Sequence, residues 1–233
     1  VSFILSDVPG DRLDVIASGP TVPDTSTFKN AWYILEKYNL VRTLPTSITE
    51  WLQKGLQGII ADTPKAGDSI FEKSHSFLIG TNQIALQWAR AAAQKLGYHT
   101  KILSDSLTGE ARLKAVDVLQ QAANYKARRP ACLLMGGETT VTIRGNGTGG
   151  RNQEFALAAL VALKNNHNGA NKLPVLLAAG TDGTDGPTPA AGAIVDQEII
   201  KLVRKKKLSP QKFLDENDSF TFFQQVGGLI ITG

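Results

Sequence analysis

Cysteine and histidine are scarce in this chain and long apolar runs are missing, and each shortage removes a class of function. The 233 residues hold one cysteine, Cys132. It cannot close an internal disulfide, and within the apolar run 131–135 it reads as a small packing group in a reducing compartment. The three histidines, His75, His99 and His167, stand far apart without ligand spacing, so no zinc site is expected. No apolar run is long enough to cross a bilayer and no secretory signal opens the chain. A cytoplasmic protein without membrane contact is therefore expected, with a mitochondrial location as the alternative. Lys and Arg number 25 against 21 Asp and Glu, and the resulting +4 is spread along the chain. That excess does not argue for nucleic acid. No G-x-x-x-x-G-K-[ST] occurs, which excludes a P-loop nucleotidase.

What is present is an ordinary globular composition, 42% hydrophobic and 20% charged, in a chain long enough for one large domain or two modest ones. Residues 1–5 form a short apolar run, read as a buried strand. A Pro/Gly/hydroxyl loop over 14–24 follows, centred on Ser18, Gly19, Pro20 and Thr21, and reads as an ordered binding loop. Thr25 or Ser26 can cap a helix to about Tyr38, and the Ser47/Glu50 spacing predicts a capping box for a helix over 48–56. Residues 62–68 lack periodicity and suggest a connection, dividing the chain into 1–72 and 73–233.

From Ser76 strands and helices alternate. Strands are expected at 77–80, 100–103, 131–135, 175–179 and 229–232, and helices at 82–96, 109–123, 152–163, 194–206 and 210–214. Residues 139–144 alternate apolar and polar groups, the period of an antiparallel or edge strand. Trp32, Trp51 and Trp88 fall on helix faces and are expected in the core. The alternation implies an α/β fold, a layered sheet with helices on both faces in two sub-regions, with ligand loops at the carboxyl ends of strands.

Residues 145–154, GNGTGGRNQE, organise the chain: four glycines, then Arg151 at the mouth of a helix. Such a mouth exposes N–H groups and a positive dipole end, and a guanidinium fork suits carboxylate or phosphate. An anion pocket using Gly147, Gly149, Gly150 and Asn152 follows from this. Gly145, Gly147 and Gly150 also fit G-x-G-x-x-G. The preceding strand alternates, however, and the next strand-end acid, Asp182, comes 32 residues after Gly150, so a dinucleotide fold is rejected. A second glycine loop, 180–186, follows a buried strand. Its Thr181, Asp182 and Asp185 could hold phosphate and Mg²⁺, or the aspartates could simply make Asx turns. Glu138, after another strand, could bind a ligand or metal, or pair with Arg144 or Arg151. Asp7, at the end of the first strand, is a further carboxylate candidate.

GGETTVTIRGNGTGGRNQEFALA and AAGTDGTDGPTPAAGAIVD resemble the MOFRL region of ATP-dependent glycerate kinases, and SDVPGDRLDVIASGPTVPD is similar to the same family's preceding segment. The resemblance runs over nearly the whole chain. It implies phosphorylation of D-glycerate by ATP with a divalent metal, in a cleft between two α/β domains. It carries the family's active-site arginine to Arg151 and the TDGxDG loop to Asp182 and Asp185. With the residue chemistry, the implied site has Arg151 and Asp182 as catalytic groups and Asp182 and Asp185 on Mg²⁺. Gly147, Gly149, Gly150, Asn152, Glu138, Ser18, Gly19 and Thr181 are implied around substrate and phosphate. The family's N-terminal segment with its active-site lysine has no counterpart here, nor has its Thr/Gly/Asn-rich C-terminal end. The chain also starts at Val1 inside an apparent strand. It is therefore expected to be part of a larger protein carrying one wall of a cleft, with a non-catalytic fragment that binds anions or partners as the competing reading.

Overall fold

The structure is a computed structural model that describes residues 1–126, 128–165 and 173–232; His167 lies outside the described residues. Two compact units emerge, Val1–Ala85 and Leu86–Gly233. In the first, strand β1 (Ser2–Leu5) pairs in parallel with β2 (Ser76–Gly80), Phe3 opposite Phe77. That pairing places β2 in the first unit, and the expected boundary near residue 72 falls inside it.

Helix α1 (Phe28–Lys37) starts at Thr27, whose hydroxyl accepts from the Asn30 backbone while the Asn30 side chain accepts from the Thr27 N–H. This reciprocal cap satisfies two donors of the first turn. Helix α2 (Thr46–Leu56) starts two residues before the expected residue 48, so Ser47 lies inside it and the capping box does not form; it follows Pro45, whose fixed φ leads into a helix. The two helices meet where the Phe28 ring lies on Gly55.

Burial in the first unit departs from expectation. Phe3 is 70% exposed, and Leu5, Phe77 and Ile79 are also exposed, so one face of β1–β2 is open rather than buried. Trp51 is exposed on α2, and Trp32 is only half-buried, donating to Glu36 along its own helix. An apolar stripe needs a partner surface, and the stripe on α2 meets little beyond α1.

Helix α3 (Asn82–Lys95) leads into the second unit, where Trp88 points to solvent at 74% exposure instead of entering the core. Strand β3 (His99–Glu110) runs on to the first residue of α4 (Ala111–Asn124) and pairs in parallel with β4 (Ala131–Thr140). The alternating segment 139–144 is thus no separate antiparallel strand. Only Thr139 and Thr140 belong to a strand. Beyond them the N–H groups of Thr142 and Arg144 bond to the side chains of Glu110 and Asn217, which removes them from any ladder.

After the glycine loop comes α5 (Arg151–Asn165), in which Gln153 to Leu160 are buried without interruption. A helix apolar around its circumference belongs inside a layer stack. α5 packs against α4, β4, β5 (Leu176–Ala179), β6 (Gly192–Val195), α7 (Pro210–Asp215) and α8 (Ser219–Val226).

Strand β6 replaces the beginning of the helix expected over 194–206. Ile194 and Val195 pair with β5, and Asp196 then caps α6 (Gln197–Lys205) by accepting from the Ile199 N–H at 2.9 Å. Strand β7 (Leu229–Ile230) completes an antiparallel sheet of order β5–β6–β7. α8 was not expected, because its aromatic run shows no helical period. Phe222 and Phe223 are fully buried there, with Phe213, Phe222 and Phe223 stacked edge to face. The α/β class holds, with the strands of the described residues spread over three small sheets.

Candidate active site

The glycine loop lies against two segments of its own unit. A Cβ on Gly145, Gly147 or Gly149 would overlap the turn formed by Glu216, Asp218 and Ser219, and one on Gly150 would overlap Asp185. Close backbone approach is thus what these glycines permit, and the approaching group is the protein itself. The Gly147 N–H donates to the Glu216 carbonyl at 2.8 Å, and the Thr148 N–H to the Asp218 carboxylate at 3.0 Å. The Gly147 N–H, one donor of the anticipated phosphate cradle, is thus engaged by the fold.

The anion at the α5 mouth is also internal. Asp185 Oδ1 accepts from the Asn152 N–H at 3.0 Å and from Asn152 Nδ2 at 3.1 Å. Its Oδ2 accepts from the Gln153 N–H at 2.8 Å and from Gln153 Nε2 at 3.0 Å. A carboxylate on the first-turn donors satisfies both the orphan N–H groups and the dipole. Asp185 is buried, and Thr188, also buried, closes the network by donating to the Asp185 carbonyl and accepting from Gln153. Instead of facing each other across an open cleft, the 145–150 and 180–186 loops touch, Gly186 packing on Gly149 and Gly150.

Two charged groups remain presented to solvent beside this junction. Arg151 is the first residue of α5. Its guanidinium is 46% exposed and pairs with Glu138 on β4, Nη1 to Oε1 at 2.9 Å. An ion pair this exposed is weak and readily exchanged for an incoming anion. Asp182 is exposed and, among the described residues, accepts local bonds from the Thr184 N–H at 3.3 Å and the Thr184 hydroxyl at 3.4 Å. Thr181 beside it is exposed, and Gly180 brings this turn against Asn152 Nδ2 and Asp182 Oδ1.

In the first unit, Ser18 and Gly19 lie in a left-handed stretch, with φ of 49° at Ala17, 63° at Ser18 and 61° at Gly19. Two non-glycine residues in that region store strain, a feature of ligand loops. Gly19 is required there, since a Cβ would press on the Asp14 backbone. Around this loop an open cavity of about 600 Å³ is lined by Arg12, Leu13, Asp14, Val22, Pro23 and Thr25. The Arg12 guanidinium holds the Asp14 carboxyl below its ordinary range, aided by the Thr25 hydroxyl. In the sequence the only signal for this pair is the i, i+2 spacing of opposite charges ahead of the Ser18–Thr21 loop. Asp7 makes no polar contact to the site among the described residues.

A ligand set for Mg²⁺ fits these residues in part. Asp182 offers exposed hard oxygens, which suits a cation that takes one or two carboxylates and completes its shell with phosphate and water. Asp185 does not fit, because both of its oxygens are filled by the α5 donors. Among the described residues no group of three His, Cys, Asp or Glu side chains could hold a metal, and no helix is long and apolar enough to cross a membrane.

Comparison with known proteins bears on both units. Residues 131–233 match the MOFRL family and residues 1–53 match a domain of unknown function, DUF4147. Over its full length the chain is 40% identical to the D-glycerate 2-kinase of Thermotoga maritima and 40% identical to the glycerate 2-kinase of Pyrococcus horikoshii. It covers 53% and 52% of those proteins. The crystal structure of a glycerate kinase from Thermotoga maritima superposes with a TM-score of 0.81 at 39% identity, over 99% of this chain and 53% of that one. The chain spans about half the length of the relatives it matches. Its glycine loop and its Asp182 turn lie in the MOFRL match and its first segment in the DUF4147 match, so residues 131–233 belong to the MOFRL family within a chain similar over its whole length to glycerate 2-kinases.

Proposed function

We propose that this chain carries part of the active site of a kinase that transfers the γ-phosphoryl group of ATP to a hydroxyl of D-glycerate. The observation that carries the reading is Arg151. It is a half-exposed guanidinium, launched from a rigid glycine loop and restrained by one exchangeable carboxylate. Phosphoryl transfer asks for positioning and for neutralisation of charge on the transferred oxygens, with little covalent work by the protein. Arg151 supplies a fixed positive fork. Glu138 holds the fork until an anion displaces it. Asp182 would hold Mg²⁺, which when bound supplies charge neutralisation at the phosphate oxygens. Asn152 stays with Asp185 and keeps the helix start rigid. Thr181 would contact the phosphate beside Asp182, Gly149 and Gly150 would serve by fixing the loop that presents Arg151, and Ser18 and Gly19 are assigned to substrate binding in the first unit. The 40% identity to two glycerate 2-kinases supports this substrate class.

A second reading has its own observation. The chain covers about half of its kinase relatives, so it could bind glycerate or nucleotide without transferring phosphate. ADP release from D-glycerate, ATP and Mg²⁺ separates the two. It is measured for the chain alone and for the chain joined to the segments a relative carries beyond the matched region. Turnover in the joined form supports the kinase, and a joined form without turnover overturns it. In whichever form turns over, Arg151→Ala is expected to lower kcat about 100-fold, the effect of losing one preorganised electrostatic donor. An unchanged kcat would remove Arg151 from the site.

A further inference from the structure

The glycine loop is gripped from a turn far along the chain. Asn217, between α7 and α8, is buried and holds a left-handed backbone with φ 53°. Its Oδ1 accepts from the N–H groups of Arg144 at 2.7 Å and Gly145 at 3.1 Å. Its Nδ2 donates to Glu154 Oε2 at 2.8 Å and to the Thr142 carbonyl at 3.3 Å. One amide therefore spans the loop, holding the chain that enters it and the first turn of the helix that leaves it.

The grip has a charged backing. Glu154 is 3% exposed at its side chain, and its other oxygen accepts from Arg112 Nε at 2.9 Å and forms an ion pair with Nη2 at 2.8 Å. Arg112 also donates to the Leu214 carbonyl at 3.1 Å, tying α4 to the end of α7. A buried carboxylate persists only when paired and fully hydrogen-bonded. The position facing it must donate toward Glu154 and accept from the loop, and among side chains of this length an amide does both. The contacts made by Glu216 and Asp218 on Gly147 and Thr148 extend the same clamp along the loop.

We propose that Asn217 is a positioning residue for Arg151, fixing the width of the glycine loop so that the guanidinium is delivered at a set point. The proposal rests on the reading of Arg151 given above. The exposed Glu138 pair alone cannot set that point, because it is free to exchange. A displacement of about 1 Å in a catalytic group costs up to about 100-fold in rate.

The test uses the form of the protein that turns over. Asn217→Gly keeps the left-handed backbone without strain and deletes all four side-chain bonds. It is expected to lower kcat at least about 10-fold while leaving KM for glycerate within about 2-fold. In an Arg151→Ala background the same change should alter kcat by less than about 2-fold, since nothing remains to be positioned. Amide hydrogen exchange should quicken at Arg144 and Gly145 while α6 is unchanged. Should Asn217→Gly fail to fold, Asn217→Asp keeps the acceptor for the loop, loses the donor to Glu154, and is read by the same pair of backgrounds. Equal kcat losses with and without Arg151 would overturn the proposal, as would an unchanged kcat in Asn217→Gly. If Arg151→Ala is inactive while Asn217→Gly is not impaired, the proposal falls alone. If Arg151→Ala is fully active, the site reading falls and the proposal with it.

Discussion

The two units hold their shapes by different means. In the second, α5 is sheathed by helices and strands, and seventeen buried residues form one cluster from Ala111 to Val226. In the first, Ile16 is the only buried hydrophobic residue among the described ones, while Phe3, Leu5, Phe77 and Ile79 are exposed. Order there comes from short polar devices: the Thr27/Asn30 cap, Asp24 on Ser26 and Thr63, and Thr21 tied to Ser74 and Ser76. Burial supplies a few kcal/mol per large side chain and a cap about one. The second unit can therefore hold a tightly packed glycine loop such as 145–150 and present Arg151 beside it, whereas the first is sensitive to single hydrogen bonds.

The sharpest test of that contrast is Phe222→Ala. The ring is fully buried between Phe213 and Phe223, and its removal should cost about 4 kcal/mol through lost transfer energy and a cavity. Urea unfolding followed by exchange at the α5 amides reads it. A loss under about 1 kcal/mol would mean the cluster is loosely packed. Thr27→Ala should cost about 1 kcal/mol, confined to the first unit, because it leaves the Asn30 N–H in the first turn of α1 without its side-chain acceptor. Faster exchange in α1 with α5 unchanged is the expected outcome, and an equal effect in both would erase the distinction.

The same contrast explains what the sequence could disclose. The position of apolar segments was legible, since α5, β4 and β5 form where their apolar patterns place them, but burial was not: α5 is buried, whereas Val175 and Leu177, expected in a buried strand, are exposed. Trp51 and Trp88 were misplaced because a stripe on a helix states what it could bury and not whether a partner is present. The roles of the glycines at 145–150 were legible as a need for close approach, but the approaching group, a turn some seventy residues later, is a tertiary fact. Asp185 shows the same limit. An acid in a glycine loop reads alike whether it faces a cation or a helix N-terminus, and only the fold reveals the four donors that fill it. Arg151, by contrast, was readable from its position directly after the loop. Its pairing with Glu138 was among the alternatives open from sequence.

The smallest effect distinguishes polar from apolar support by pH alone. The hydroxyl and N–H of Ser26 and the hydroxyl of Thr63 hold the Asp24 carboxyl at about 2, below its ordinary 3.8. The charged form is the one these donors favour. A carboxyl lowered in the folded state contributes stability that is fully present above its unfolded pKa and fades as pH falls toward the folded one. The contribution of Asp24 should therefore be intact at pH 5 and lost progressively between about pH 4 and pH 2. Solvent screening keeps it small, since the group is only partly covered. Exchange at the α1 amides, compared between the parent and Asp24→Asn, should differ at pH 5 and converge near pH 2, with α5 insensitive throughout. A difference that persists at pH 2 would show that Asp24 acts through its shape rather than its charge, and the polar account of the first unit would lose its electrostatic part.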